Sequence, residues 1–182
     1  IAAEQYLEFI ATPRSGPLGR PLSLASFTLN AKTWPADPRP FRITNLVIHL
    51  VNGFLIFLFT RRVFSMSQHR LTAEKLALMC AAMWLLHPLL VSTTAYIVQR
   101  MTMLCALFSL AGLLCYMRGR DQLPTNPTRG WLWIIGGMSG FGLLALLSKE
   151  SAILLPLYAL TIEWTVYSAI TTSPRHRNLL LA

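Results

Sequence analysis

Apolar residues in this chain fall into long runs separated by short polar breaks. A bilayer core of about 30 Å, crossed by about 20 helical residues, is the ruler for such runs. Five runs pass or nearly pass it. Ile43 to Phe59 is interrupted only by Thr44, Asn45, His49 and Asn52, and it stops at Arg61-Arg62. Leu76 to Leu86 is shorter; Thr72 can cap its start and His87-Pro88 closes it. Met101 to Met117 ends at Arg118-Gly119-Arg120. Trp131 to Leu147 follows the Pro- and Gly-rich turn Leu123 to Gly130 and ends at Ser148-Lys149-Glu150. Ala152 to Tyr167 holds Pro156 and Glu163. The pattern predicts an all-α polytopic membrane helix bundle occupying residues 43–182, with about five transmembrane helices at about 43–62, 72–87, 97–117, 130–148 and 151–170.

Residues 1–42 do not read as a spanning segment but as an outer loop with short interfacial helices. Tyr6, Phe9 and Ile10 share one helical face over residues 1–12, and Pro13, Gly16, Pro17, Gly19 and Pro21 end that pattern. Leu22 to Leu29 predicts a second short helix before Pro35, Pro38 and Pro40 steer the chain into Phe41. The chain opens at Ile1 without an initiator Met and stops inside Leu179-Leu180-Leu181, so it reads as an internal fragment.

Composition sharpens the membrane reading. Hydrophobic residues make up 54% and charged ones 13%, whereas soluble domains carry about 25% charged residues. A chain this apolar is not intrinsically disordered. The net charge of +9 would suggest nucleic acid in a soluble protein; here it points to loops facing anionic lipid and no nucleic acid. Cys80, Cys105 and Cys115 lie in apolar runs and read as small core residues.

Short connections make consecutive helices antiparallel, so the basic residues can be sorted by side. One side collects nine: Arg61, Arg62, Arg70, Lys75, Arg118, Arg120, Arg129, Arg175 and Arg177. The other has Arg100 and Lys149 besides the lead-in, which carries Arg14, Arg20, Lys32, Arg39 and Arg42. The positive-inside rule then makes the nine-residue side cytoplasmic and puts residues 1–42 on the outer face of an integral membrane protein.

Ionisable groups near hydrocarbon are functional candidates until a structural partner is found. Arg20, Arg100 and Lys149 fall on the outer side and form a candidate phosphate pocket: Arg offers a planar fork and Lys a compact charge. His87, Gln99 and Glu150 border it. Each has a plainer reading. Lys149 and Glu150 can be a helix-end pair, Arg100 can snorkel to head groups, and His87 before Pro88 suits a helix terminus. Asn45, His49 and Asn52 at i, i+4 and i+7 suit interhelical hydrogen bonds, Glu163 suits pairing within the bundle, and Gly136, Gly137, Gly140 and Gly142 suit close helix packing. Trp34, Trp131, Trp133 and Trp164 suit interfacial belts. No GxGxxG, P-loop, GxSxG, HExxH or CxxC motif occurs, and no metal site is visible.

Five strings occur in a fixed order: Gly19 to Asn30 (GRPLSLASFTLN), Phe41 to Asn52 (FRITNLVIHLVN), His87-Pro88 with Tyr96 to Thr102 (YIVQRMT), Ser148 to Ala152 (SKESA), and Leu154-Leu155-Pro156. Over about residues 17–164 the chain resembles the membrane region of GT-C-type glycosyltransferases, notably the transmembrane and tetratricopeptide repeat O-mannosyltransferases and their bacterial counterparts. The resemblance implies acidic catalytic residues, often an Asp pair, upstream of Ile1, where they would activate an acceptor hydroxyl or hold a divalent cation. It also implies that Arg20, Arg100 and Lys149 neutralise the phosphate of the donor, with His87, Glu150 and Gln99 orienting the site. Gln99 stands where relatives often have Gly. The implied function is transfer of a sugar from a polyprenyl-phosphate donor to a protein hydroxyl at the outer face. The competing expectation is a non-catalytic membrane subunit or scaffold whose cations bind lipid phosphates.

Overall fold

The computed structural model describes residues 19–30, 37–66 and 70–168. The predicted helix over residues 1–12, Trp34, and Arg175 with Arg177 lie outside the described residues. Among the described residues the chain is helical throughout, with no strand. Helix α1 spans Pro21–Thr28, α2 Arg39–Ser65, α3 Arg70–Leu85, α4 Pro88–Ala95, α5 Arg100–Gln122, α6 Pro127–Leu146 and α7 Leu155–Ile162. Short 3-10 turns precede α5 at Ile97–Gln99 and α7 at Glu150–Leu154, and a π turn at Glu163–Tyr167 follows α7.

Local chemistry sets these boundaries. α1, α2, α4, α6 and α7 each carry Pro in their first turn, where the missing N–H would have had no helical partner. Asp37 Oδ1 accepts the N–H of Arg39 at 2.9 Å, and the Asn126 side chain accepts that of Arg129 at 3.1 Å, so both helices begin capped. His87, extended because it precedes Pro88, breaks α3 from α4.

Three stretches are long and apolar enough to cross a membrane: Arg39–Ser65, Ile97–Gln122 and Pro127–Leu146. A fourth exists if α3 and α4, bent by 58°, count as one span. The fifth predicted segment is helical through residue 168 but divided among a 3-10 turn, α7 and a π turn; Pro156, in the first turn of α7, marks where the regular helix begins.

α2 shows how the bundle is organised. Its buried residues are Phe41, Asn45, His49, Asn52 and Gly53, while Ile43, Leu46, Val47, Leu50 and Phe54 are exposed. A water-soluble helix has the reverse arrangement. Interhelical contact instead rests on small and polar residues, as expected where lipid solvates Leu as well as protein does. Ala73, Ala77 and Ala81 of α3 are buried, and a side chain at Gly53 would run into Leu85. Between α5 and α6, a Cβ at Gly119 would come within 2.7 Å of the Gly130 carbonyl, and one at Gly137 would collide with Cys115. Gly136 and Gly140 face open space, so the close contact uses Gly119, Gly130 and Gly137 rather than the full predicted glycine set. Leu113 and Met117 of α5 close the core against Leu155, Ala159 and Ile162.

Cross-helix pairs fix directions. Asn45 bonds to Arg100 near the start of α2 and α5, and Arg62 pairs with Asp121 near their ends. Gly119 against Gly130 makes α6 antiparallel to α5, and Arg120 with Glu163 makes the last segment parallel to it. Arg20, Arg100, Lys149 and Glu150 therefore share one end of the bundle, and Arg61, Arg62, Arg120 and Glu163 share the other.

Candidate functional site

α1 is docked across the first of these ends. The Leu22 N–H donates to the Leu147 carbonyl at 3.1 Å, and buried Ser23 donates its hydroxyl to the Ser148 carbonyl at 2.9 Å. Arg100 completes the attachment. Its Nε donates to Asn45 Oδ1 at 2.8 Å, Nη1 to the Ser26 carbonyl at 2.7 Å and Nη2 to the Phe41 carbonyl at 3.0 Å. The guanidinium lies 4.8 Å from the Phe27 ring centre and 5.5 Å from that of Phe41, and the residue is 0% exposed. Neutral oxygens and two aromatic faces solvate this charge, and it ties three segments together.

Arg100 is thus withdrawn from the predicted phosphate pocket. Helix geometry supplies the reason: residues 100 and 102 are separated by about 200° around the axis. When Arg100 faces Asn45 and α1, Thr102 faces the opposite side, where Lys149 sits.

On that side Lys149 Nζ donates to Thr102 Oγ1 at 2.8 Å, and Thr102 donates to Gln99 Oε1 at 2.9 Å. No carboxylate among the described residues pairs with Lys149. Arg20 approaches the same strip, with Nη1 at 3.4 Å from Met101 Sδ and Nη2 at 2.9 Å from Glu150 Oε2. The hydrogen bonds from Arg20 hold the Glu150 carboxyl below its ordinary range. Arg20 and Lys149 thus meet successive residues of α5, Met101 and Thr102, and each is about a quarter to partly exposed rather than sealed in.

Arg20 also has left-handed backbone angles, φ 51° and ψ 50°, after Gly19 at φ 70°. For a residue other than Gly this conformation is strained by roughly 1–2 kcal/mol. The Leu22, Ser23 and Glu150 contacts hold it in place.

The remaining predicted residues have local partners. His87 Nδ1 accepts the Leu89 N–H at 3.3 Å and caps α4 from an exposed position. Asn45 Nδ2 reaches the Thr94 carbonyl at 3.2 Å, His49 contacts the Leu85 carbonyl at 3.1 Å while stacked on Trp84, and Asn52 donates to the Met103 carbonyl at 3.0 Å. Glu163 receives Tyr116 at 2.6 Å and Arg120 Nε at 2.9 Å. Thr102 and Ser148 were not among the candidates from sequence. The i, i+3 spacing of Gln99 and Thr102 was the available signal for the first; nothing marked the second.

The described residues contain no group of three or more His, Cys, Asp or Glu side chains able to hold a metal. Glu74, Asp121, Glu150 and Glu163 each face an arginine. They do not fit a divalent-cation site. Comparisons with protein-family models, curated proteins and solved structures give no match.

Proposed function

We propose that the chain is the donor-binding part of a membrane glycosyltransferase, which moves a sugar from a polyprenyl-phosphate carrier to a protein hydroxyl at the outer face. The single observation carrying this reading is the Lys149 ammonium, which has a hydroxyl partner but no carboxylate partner among the described residues and stands beside Arg20 at the start of α5. An ammonium keeps two N–H donors after bonding Thr102. The N-terminus of α5 adds partial positive charge, and Arg100 adds a full charge without a carboxylate. A phosphate leaving group gaining charge during transfer would be stabilised there.

In this scheme Lys149 and Arg20 contact the phosphate, Thr102 and Gln99 orient Lys149, and Glu150 holds Arg20 until the donor arrives. Arg100 acts at one remove by fixing α1. Five crossings, with residues 1–42 periplasmic and the arginine-rich end cytoplasmic, belong to the same proposal. So does the donor class, which rests on the five ordered sequence strings.

The test uses the full-length protein in membranes supplied with polyprenyl-phosphate mannose. Lys149→Ala should abolish transfer while insertion and α1 docking persist; near-normal transfer would overturn the assignment. If the wild-type protein binds polyprenyl phosphate through Lys149 yet transfers nothing, the non-catalytic lipid-phosphate scaffold replaces the enzyme reading.

A further inference from the structure

The opposite end of the bundle holds a second cationic feature, distinct from the donor strip. A cleft of about 440 Å³ opens between the end of α2 and the start of α3, lined by Leu58, Arg61, Arg62, Arg70, Ala73 and Glu74 among others. Its volume falls within the range of about 300–1,000 Å³ usual for small-ligand sites. The charges are unbalanced. Arg61 Nη2 and Arg70 Nε both approach one oxygen of Glu74, at 3.1 and 3.4 Å. Arg62 is paired with Asp121, which lies outside the lining. Three guanidinium groups thus meet two carboxylates, leaving one positive charge over.

Geometry adds to charge. Arg61 and Arg70 share a single acceptor atom, so most of their N–H donors remain directed elsewhere. Arg70 is 79% exposed along its side chain. The cleft also borders the end of a span-length apolar helix, with Leu58 and buried Ala73 in its wall. Arginines above an apolar wall at such a position match a phosphate head with hydrocarbon below it.

We propose that this cleft binds a phosphate anion, with Arg61 and Arg70 as its forks and Glu74 as the internal competitor that the anion displaces. The phosphate can be the head of an anionic lipid or a free ion, and the experiment separates these sources. The full chain, purified in detergent, is titrated in parallel with phosphatidylglycerol, phosphatidylcholine and inorganic phosphate. Binding is read by native mass spectrometry and by the shift in thermal midpoint.

Phosphatidylglycerol should bind and phosphatidylcholine should not; an equal response to inorganic phosphate would identify the free ion as the ligand. Arg61→Gln and Arg70→Gln should each weaken binding about fivefold. Lys75→Gln, which removes an exposed cation of the same helix that does not line the cleft, should leave it unchanged. Glu74→Gln should tighten it, a gain that misfolding cannot imitate. Equal losses in Lys75→Gln and the arginine variants, weaker binding in Glu74→Gln, or no discrimination between the two lipids would each overturn the proposal.

Discussion

The two ends of the bundle handle positive charge differently. At the arginine-rich end, Arg61, Arg62, Arg70 and Arg120 all face carboxylates. Among the described residues of the docking end only Arg20 does; Arg100 is surrounded by carbonyl and amide oxygens, and Lys149 bonds a hydroxyl. Exposed ion pairs in high dielectric contribute at most about 1 kcal/mol each. A buried guanidinium bonded on all three nitrogens acts as a structural rivet. The ends therefore share a sign of charge but not a use for it: at one, arginines join helices through carboxylates, while at the other Arg100 fixes α1 through neutral oxygens and Lys149 bonds a hydroxyl.

The largest break in this contrast should come from Arg100→Ala. It removes three donors and two ring contacts together, and should destabilise the fold by about 3–5 kcal/mol, because three oxygens lose their donor at about 1–3 kcal/mol each where buried. Thermal unfolding in detergent and faster proteolysis of residues 19–30 would register it. Arg100→Lys should recover less than half, because one ammonium cannot reach all three acceptors. If Arg100→Ala proves no worse than Arg62→Ala, the rivet is wrong.

Gly119→Ala tests what holds the other end, since its new methyl group would press on the Gly130 carbonyl and Ile134. A loss of about 1–3 kcal/mol is expected from such overpacking. Gly136→Ala, whose methyl enters open space, should instead be neutral or gain up to about 1 kcal/mol from helix propensity. Similar melting shifts in the two variants would show that the glycine contact does not secure α5 on α6.

A smaller effect is expected with pH. Because Arg20 lowers the Glu150 pKa, their contact contributes stability that is complete above the ordinary value of 4.5 and fades as pH falls through the lowered one. Glu150→Gln should flatten that acid-side slope in the wild-type melting curve. An unchanged slope would remove Glu150 from the attachment of Arg20. Smallest of all should be Arg62→Ala, at no more than about 1 kcal/mol by the same melt, because its pair with Asp121 is well exposed.

Much of the architecture could be read in one dimension. Runs of apolar residues, His87-Pro88 and the proline-led helix starts are local features, and the all-helical fold, the short helix at Pro21–Thr28 and most helix positions follow from them. The i, i+4, i+7 polar stripe likewise announced Asn45, His49 and Asn52 as interhelical donors, since in an apolar surrounding such groups must find partners in one another or in the backbone.

Which cations stand together was another matter. Sequence placed Arg20, Arg100 and Lys149 at one end, because alternating helix direction needs only a count of segments. It did not give the rotation of α5 about its own axis. That angle is set by small residues meeting along α5 and α6 and by the oxygens that α1 and α2 offer to a guanidinium. Packing over the whole bundle therefore turned Arg100 inward and left Lys149 facing Thr102, a choice among helix faces that no local pattern of residues contains.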